Sequence, residues 1–126
     1  MDLEKFHLVT RLASQATHYK EGEAIRYWEE GQWRPMSWTV FYDKIQELTK
    51  ALLHYQVGVQ ENIGIFAPNS PQWTMVDMAA AHLRACAVPI YATNTADQAA
   101  YIINDANIRI LFVGEQEQFD KIQQIK

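Results

Sequence analysis

The chain has little of what autonomous chemistry is usually built from. Cys86 is its one cysteine, so no intrachain disulfide can form and a site of several thiolates is excluded. A reducing compartment fits. Glycine is equally sparse: Gly22, Gly31, Gly58, Gly64 and Gly114 never cluster. Only closely spaced glycines let a backbone wrap an anion, and neither GxGxxG nor GxxxxGK[ST] occurs. There is no excess of positive charge. The eleven lysines and arginines are scattered from Lys5 to Lys126 and the formal net charge is −4, which argues against a nucleic-acid partner. No apolar run approaches the ~20 residues needed to cross a bilayer. Asp2, Glu4, Lys5 and Arg11 interrupt the first twenty residues, where a secretory signal would be apolar. The expectation is a soluble, cytoplasmic protein.

What is present reads as one ordinary globular domain. The 126 residues are 48% hydrophobic and 21% charged, and a chain of that length buries about two-thirds of its unfolded surface. Phe6, Val9, Ala13 and Ala16 predict an amphipathic helix over 3–17. AIRYWEEGQWRPMSW predicts a hairpin turning at Glu29-Glu30-Gly31-Gln32, with Pro35 on an edge strand. The clearest helical stripe is Phe41, Ile45, Leu48, Leu52 and Tyr55 over 39–55, with Gly58 as its stop.

From residue 62 onward strands and helices alternate. NIGIFAP is an apolar strand, and Ser70-Pro71 supplies a cap and a first-turn proline. An alanine-rich helix is expected over 71–87, ending in Ala85-Cys86-Ala87, followed by a strand over 88–91 with Pro89 at its start. Thr95-Ala96-Asp97-Gln98 has the form of a capping box. A helix to about 106, a strand over 108–113 and a helix from 115 complete the pattern. Short connections between alternating elements argue an α/β fold: a parallel sheet with helices on both faces, preceded by a helix and a hairpin.

Candidate reactive groups weigh poorly. His7, His18, His54 and His82 have no metal-ligand spacing and read as surface or helix-face residues. Cys86 reads as a small core residue rather than a nucleophile. Asp77 and Asp105 read as solvated charge and cap, and Asp97 suits a helical first turn. No Ser-His-Asp set emerges from spacing. Trp33, Trp38 and Trp73 could line an acyl or aromatic pocket, but packing between hairpin and helices is the simpler role. At the end, Phe119 and Ile122 carry a helical pattern into Gln123-Gln124-Ile125-Lys126 without glycine or proline, so truncation of a longer protein is expected.

Four segments carry a resemblance: SWTVFYDKIQELTKALL, GVQENIGIFAPNSPQW, LRACAVPIYATNT and YIINDANIRILFV. In that order and spacing they resemble the N-terminal part of AMP-forming acyl-CoA synthetases, nearest to the long-chain fatty acid ligases of bacteria, from about Ala24 onward. Two departures are Glu61-Asn62, where many members carry Gly-Asp, and Cys86-Ala87, where they carry Gly-Ala. The resemblance implies that residues 1–126 are the N-terminal portion of an AMP-binding domain. The parent would use ATP and Mg2+ to join a fatty acid to AMP, then pass the acyl group to coenzyme A. It also implies that the ATP loop, the adenylate motifs and the lid lie beyond Lys126, so no catalytic, cofactor-binding or metal-binding residue is expected here. Peripheral contact with the inner membrane face and homodimerisation are compatible with it. The rival reading is a standalone α/β binding or dimerisation module. A phosphoacceptor version of that module is disfavoured because NIGIFAP ends without an aspartate.

Overall fold

A serine or threonine hydroxyl, with apolar spacing of three and four behind it, sets where three of the helices begin. The computed structural model describes residues 3–125; Met1, Asp2 and Lys126, the expected point of truncation, lie outside the described residues. A short 3-10 turn (Leu3–Phe6) precedes α1 (Leu8–Tyr19). The hairpin of β1 (Glu23–Glu29) and β2 (Gln32–Ser37) follows, then α2 (Trp38–His54). The remainder is β3 (Asn62–Phe66), α3 (Pro71–His82), β4 (Cys86–Ile90), α4 (Ala96–Asp105), β5 (Ile110–Val113) and α5 (Gln116–Gln123). The Oγ of Ser37 accepts from the Val40 N–H, that of Ser70 from Trp73, and Thr95 and Gln98 form the expected reciprocal box.

The hairpin turns on two residues, Glu30 and Gly31, both with positive φ (49° and 77°), the geometry whose twist matches a tight two-residue hairpin. Behind it, β3, β4 and β5 form a parallel sheet in the order β4-β3-β5. Chain direction dictates the layering. From β3 the chain crosses one way to β4, then back past β3 to β5, so right-handed crossovers place α3 and α4 on opposite faces. Odd and even positions of β3 divide accordingly. Ile63 and Ile65 pack with Phe41, Ile45, Leu52 and the buried side of α3. Phe66 packs with Ile90 and Ala99, against Ile102, Leu111 and Ile122.

Four expectations are corrected. First, Tyr55 is exposed and α2 ends at His54, four residues before Gly58. Gln56 takes positive φ (59°), the Gln56 N–H bonds the Leu53 carbonyl, and the Val57 N–H bonds the Leu52 carbonyl. That left-handed cap is usually glycine. Second, α3 ends at His82 rather than at 87, by the same device: Arg84 has φ 56° and the Ala85 N–H returns to Ala80. Cys86 and Ala87 therefore open β4, and Pro89 stands fourth in it. An edge strand tolerates the missing amide proton there. Third, Cys86 is exposed and is not a core residue. Fourth, the N-terminal stripe is offset. The residues α1 buries are Leu12 and Ala16, whereas Phe6 lies in the separate 3-10 turn and is exposed.

The Glu61-Asn62 departure has a structural role at the amino end of the sheet. The Glu61 carboxylate accepts the Gly58 N–H at 2.6 Å and the Arg109 guanidinium at 2.7 Å. Arg109 also donates to the Tyr55 carbonyl at 2.9 Å. The Gly58 amide first, then Arg109, holds the Glu61 carboxyl below its ordinary value. A carboxylate favoured in the folded state stabilises it above the ordinary glutamate pKa of about 4.3. That contribution is lost as pH falls through the lower folded value. Glu61→Gln is thus expected to be less stable than the parent chain near neutrality and to converge with it in acid. Urea midpoints from pH 7 down to about 3 check this, and parallel curves contradict it.

Candidate functional site

In an open parallel sheet, ligands settle at the carboxyl ends of strands where neighbouring connections depart to opposite faces. Here that place is between β3 and β5, because β3 leads to α3 and β5 leads to α5 on the other side. A cavity of about 520 Å³ opens there, lined by Asn69, Ser70, Gln72, Trp73, Gly114 and Glu115 among others. A second groove of about 310 Å³ lies across the ridge formed by Pro68, Asn69 and Trp73, toward Tyr91 and Thr93. Trp73 therefore stands between two clefts and lines both.

The local sequence explains this shape. Ser70 and Pro71 start α3 directly after β3, leaving only residues 67–69 to turn the chain. Gly114 leaves β5 beside Ala67, and the Gly114 N–H donates to the Phe66 carbonyl at 3.0 Å. A Cβ on Gly114 would stand 2.9 Å from Ala67 Cα, so glycine is needed for the two chains to approach. On the far side, the Gln118 amide donates to the Ala92 carbonyl at 3.1 Å, pinning α5 to the loop after β4.

The chemistry offered is that of binding. The lining supplies two side-chain amides, one indole and one carboxylate, Glu115, with no lysine or arginine. The first turn of α3 is largely committed: Pro71 has no N–H, Trp73 donates to the Ser70 side chain and Thr74 to the Ser70 carbonyl. Those donors would otherwise greet a phosphate.

The residues weighed from sequence do not converge here, Trp73 apart. His7, His18 and His54 are exposed. His82 is half-buried, its Nδ1 2.7 Å from the Met78 carbonyl. Among the described residues no three of the His, Cys, Asp and Glu side chains form a metal-binding group. Asp77 is half-buried on α3, and burial pushes its carboxyl above the ordinary value, but it does not line the cleft. Asp97 occupies the first turn of α4 and Asp105 its last position. Trp38 packs on Phe41 and Tyr19. Trp33 does not tie the hairpin to the helices; it is 61% exposed and stacks edge-on against Trp28. Sequence reading missed Gly114 and Glu115, which meet Asn69 and Ser70 only through strand pairing.

Comparison with known proteins agrees with the architecture. The profile of a family described as "AMP-binding enzyme" matches residues 12–126. The chain is 29% identical over 114 residues to the Xenopus laevis long-chain-fatty-acid–CoA ligase ACSBG2, covering 89% of this chain and 15% of that protein. It is 32% identical over 91 residues to long-chain-fatty-acid–CoA ligase 1 of Cavia porcellus, covering 68% of this chain and 13% of that one. Among solved structures, a Mycobacterium tuberculosis fatty acyl CoA synthetase superposes with a TM-score of 0.86 at 21% identity, over 98% of this chain and 24% of that one. A long-chain-fatty-acid–CoA ligase from Archaeoglobus fulgidus gives 0.80 at 19% identity, over 94% of this chain and 24% of its own. These structural likenesses establish the fold. The chain spans about 15% of the length of the curated relatives it matches.

Proposed function

We propose, because this chain belongs to the AMP-binding enzyme family, that it is the N-terminal portion of the adenylation domain of a long-chain fatty acid–CoA ligase. The parent would join a fatty acid carboxylate to the α-phosphate of ATP, releasing diphosphate, and the coenzyme A thiol would then displace AMP. The observation that carries the reading is the family match over residues 12–126. The role of this segment is to build one wall of the catalytic cleft at the carboxyl ends of β3 and β5, with the reacting groups outside residues 1–126.

Three features support that division. Among the described residues no lysine or arginine lines the cleft, the Trp73 and Thr74 N–H groups of α3 are spent on Ser70, and the glycines stay dispersed. Residues of this kind do not fit a triphosphate or its Mg2+, so no chemical step is assigned to them. Among the described residues no helix is long and apolar enough to cross a membrane. A cytoplasmic location with peripheral contact to the inner membrane face, and homodimerisation of the parent, belong to the same proposal.

The test is a pair of measurements. The purified 126-residue chain, titrated with Mg·ATP in a calorimeter, is expected to give no binding heat. The polypeptide read through Lys126 is expected to exchange diphosphate into ATP when palmitate is added. Micromolar ATP binding by the short chain would overturn the placement of the reacting groups. A longer polypeptide without palmitate-dependent exchange would overturn the ligase itself.

A further inference from the structure

Among the described residues Gln118 is the one buried polar residue, 2% exposed. It stands one turn before Ile122, on the side of α5 that covers Phe66, where helical patterning calls for an apolar side chain. The amide fits that place poorly. Its Nε2 donates to the Ala92 carbonyl at 3.1 Å, but none of the described residues reaches its enclosed Oε1. A buried acceptor without a protein partner costs free energy that a leucine would not.

Lys121 repeats the pattern. Its side chain is 19% exposed and lies over Phe66, with Nζ 5.9 Å from the ring centroid. The same amine comes to 3.4 Å from the Ala92 carbonyl. Two donors of α5 thus converge on one main-chain oxygen that is 26 and 29 positions away in the sequence. Apolar contact would suffice to cover a loop. Directed donors also fix which way its peptide faces.

What they fix is the exit of β4. Ala92 sits between Tyr91 and Thr93, and all three line the groove of about 310 Å³ that Trp73 also lines. Tyr91 is 81% exposed, so its own packing does little to hold this rim. The lining contains no aspartate, glutamate, lysine, arginine or histidine. Such a wall suits a neutral hydrocarbon and not a phosphate.

We propose that Gln118, assisted by Lys121, is a positioning residue that sets the Tyr91–Thr93 rim against which the acyl chain of the substrate lies. The inference rests on the reading of the parent as a fatty acid–CoA ligase. A local choice that works against stability is what a residue kept for a site looks like.

Kinetics and unfolding of the polypeptide read through Lys126 test it. Gln118→Leu is expected to unfold at the same urea concentration as the parent or at a higher one, because the enclosed Oε1 is gone. Its KM for palmitate is expected to rise at least about fivefold, while kcat and the KM for ATP and for coenzyme A stay within about twofold. Lys121→Met keeps an apolar stem over Phe66 and removes the amine. It is expected to raise the palmitate KM by a smaller factor. The proposal is overturned by a palmitate KM insensitive to both substitutions, or by KM values that rise together for all three substrates. It is equally overturned by a lowered urea midpoint in Gln118→Leu, which would make the amide a structural bond. A parent without palmitate-dependent activity overturns the ligase reading itself. An active parent whose palmitate KM does not move in the variants overturns the positioning role alone.

Discussion

Gly114→Ala is expected to destabilise the domain by about 3 kcal/mol, the upper end of what overpacking usually costs. The added Cβ would meet Ala67 Cα at 2.9 Å and Pro68 Cδ at 3.1 Å. Backbone and ring atoms cannot step aside as a side-chain tip can. Relief requires the end of β5 to part from the end of β3, which breaks the bond from the Gly114 N–H to Phe66 and widens the mouth of the cleft. Gly64 provides the comparison. Its added Cβ would meet Leu111 Cδ1 at 2.7 Å and Ile108 Cγ2 at 3.1 Å. The nearer atom is a flexible chain end, so Gly64→Ala is expected to cost about 1 kcal/mol, at the low end of the same range. Urea unfolding of both variants reads the difference. A Gly114→Ala midpoint equal to that of the parent, or a larger loss from Gly64→Ala, would contradict the close-approach account.

Phe66→Ala is expected to cost about 3–5 kcal/mol, as deletions of buried aromatic rings do. Domains are stable by about 5–15 kcal/mol in all, so this one change removes a large share of the total or all of it. Phe66 is 0% exposed and belongs to a second core whose other fully buried members are Ile90 and Ala99. So small a cluster has little with which to refill the space. The loss should also be uneven. Amides of α4 and α5, which rest on Phe66, are expected to lose more exchange protection than those of α2 and α3, which rest on Ile63 and Ile65. Tyr91→Ala, at an 81% exposed position, should stay within about 0.5 kcal/mol of the parent. Equal loss across both faces would show that the two cores are not separable.

Wherever local chemistry decides the outcome, the fold was legible in the sequence. Ser37, Ser70 and Thr95 open helices because a hydroxyl can take a free amide within three residues, and no distant contact is needed. The Glu30-Gly31 turn and the apolar run of β3 are readable for similar reasons. Helix ends were misread where a non-glycine residue takes the left-handed backbone, at Gln56 and Arg84. Their side chains do not announce it, and the cap is held by packing of Val57 and by backbone bonds. Misplacing the end of α3 then carried Cys86 from an exposed strand start into an imagined core. The cleft was the least legible part. Asn69 and Gly114 are 45 positions apart in the sequence, and nothing but the pairing of β3 with β5 brings them to one mouth. Trp73 was visible as an aromatic, but its position between two clefts was not.

The two ends of the sheet are assembled by different means. At the amino end, α2, α3 and α4 each hand over to a strand through a left-handed residue whose identity is Gln, Arg or Asn and whose own cap is closed by main-chain bonds, with Glu61 and Arg109 tying the turns together. At the carboxyl end the handovers depend on particular side chains, Ser70 and Thr95, and on a glycine with no room to grow. Substitutions accumulated over time can therefore pass through the three left-handed positions themselves, Gln56, Arg84 and Asn107, at little penalty while the carboxyl end resists them. A lineage drifting in this way would keep its architecture at low identity, with its constancy concentrated at a single rim.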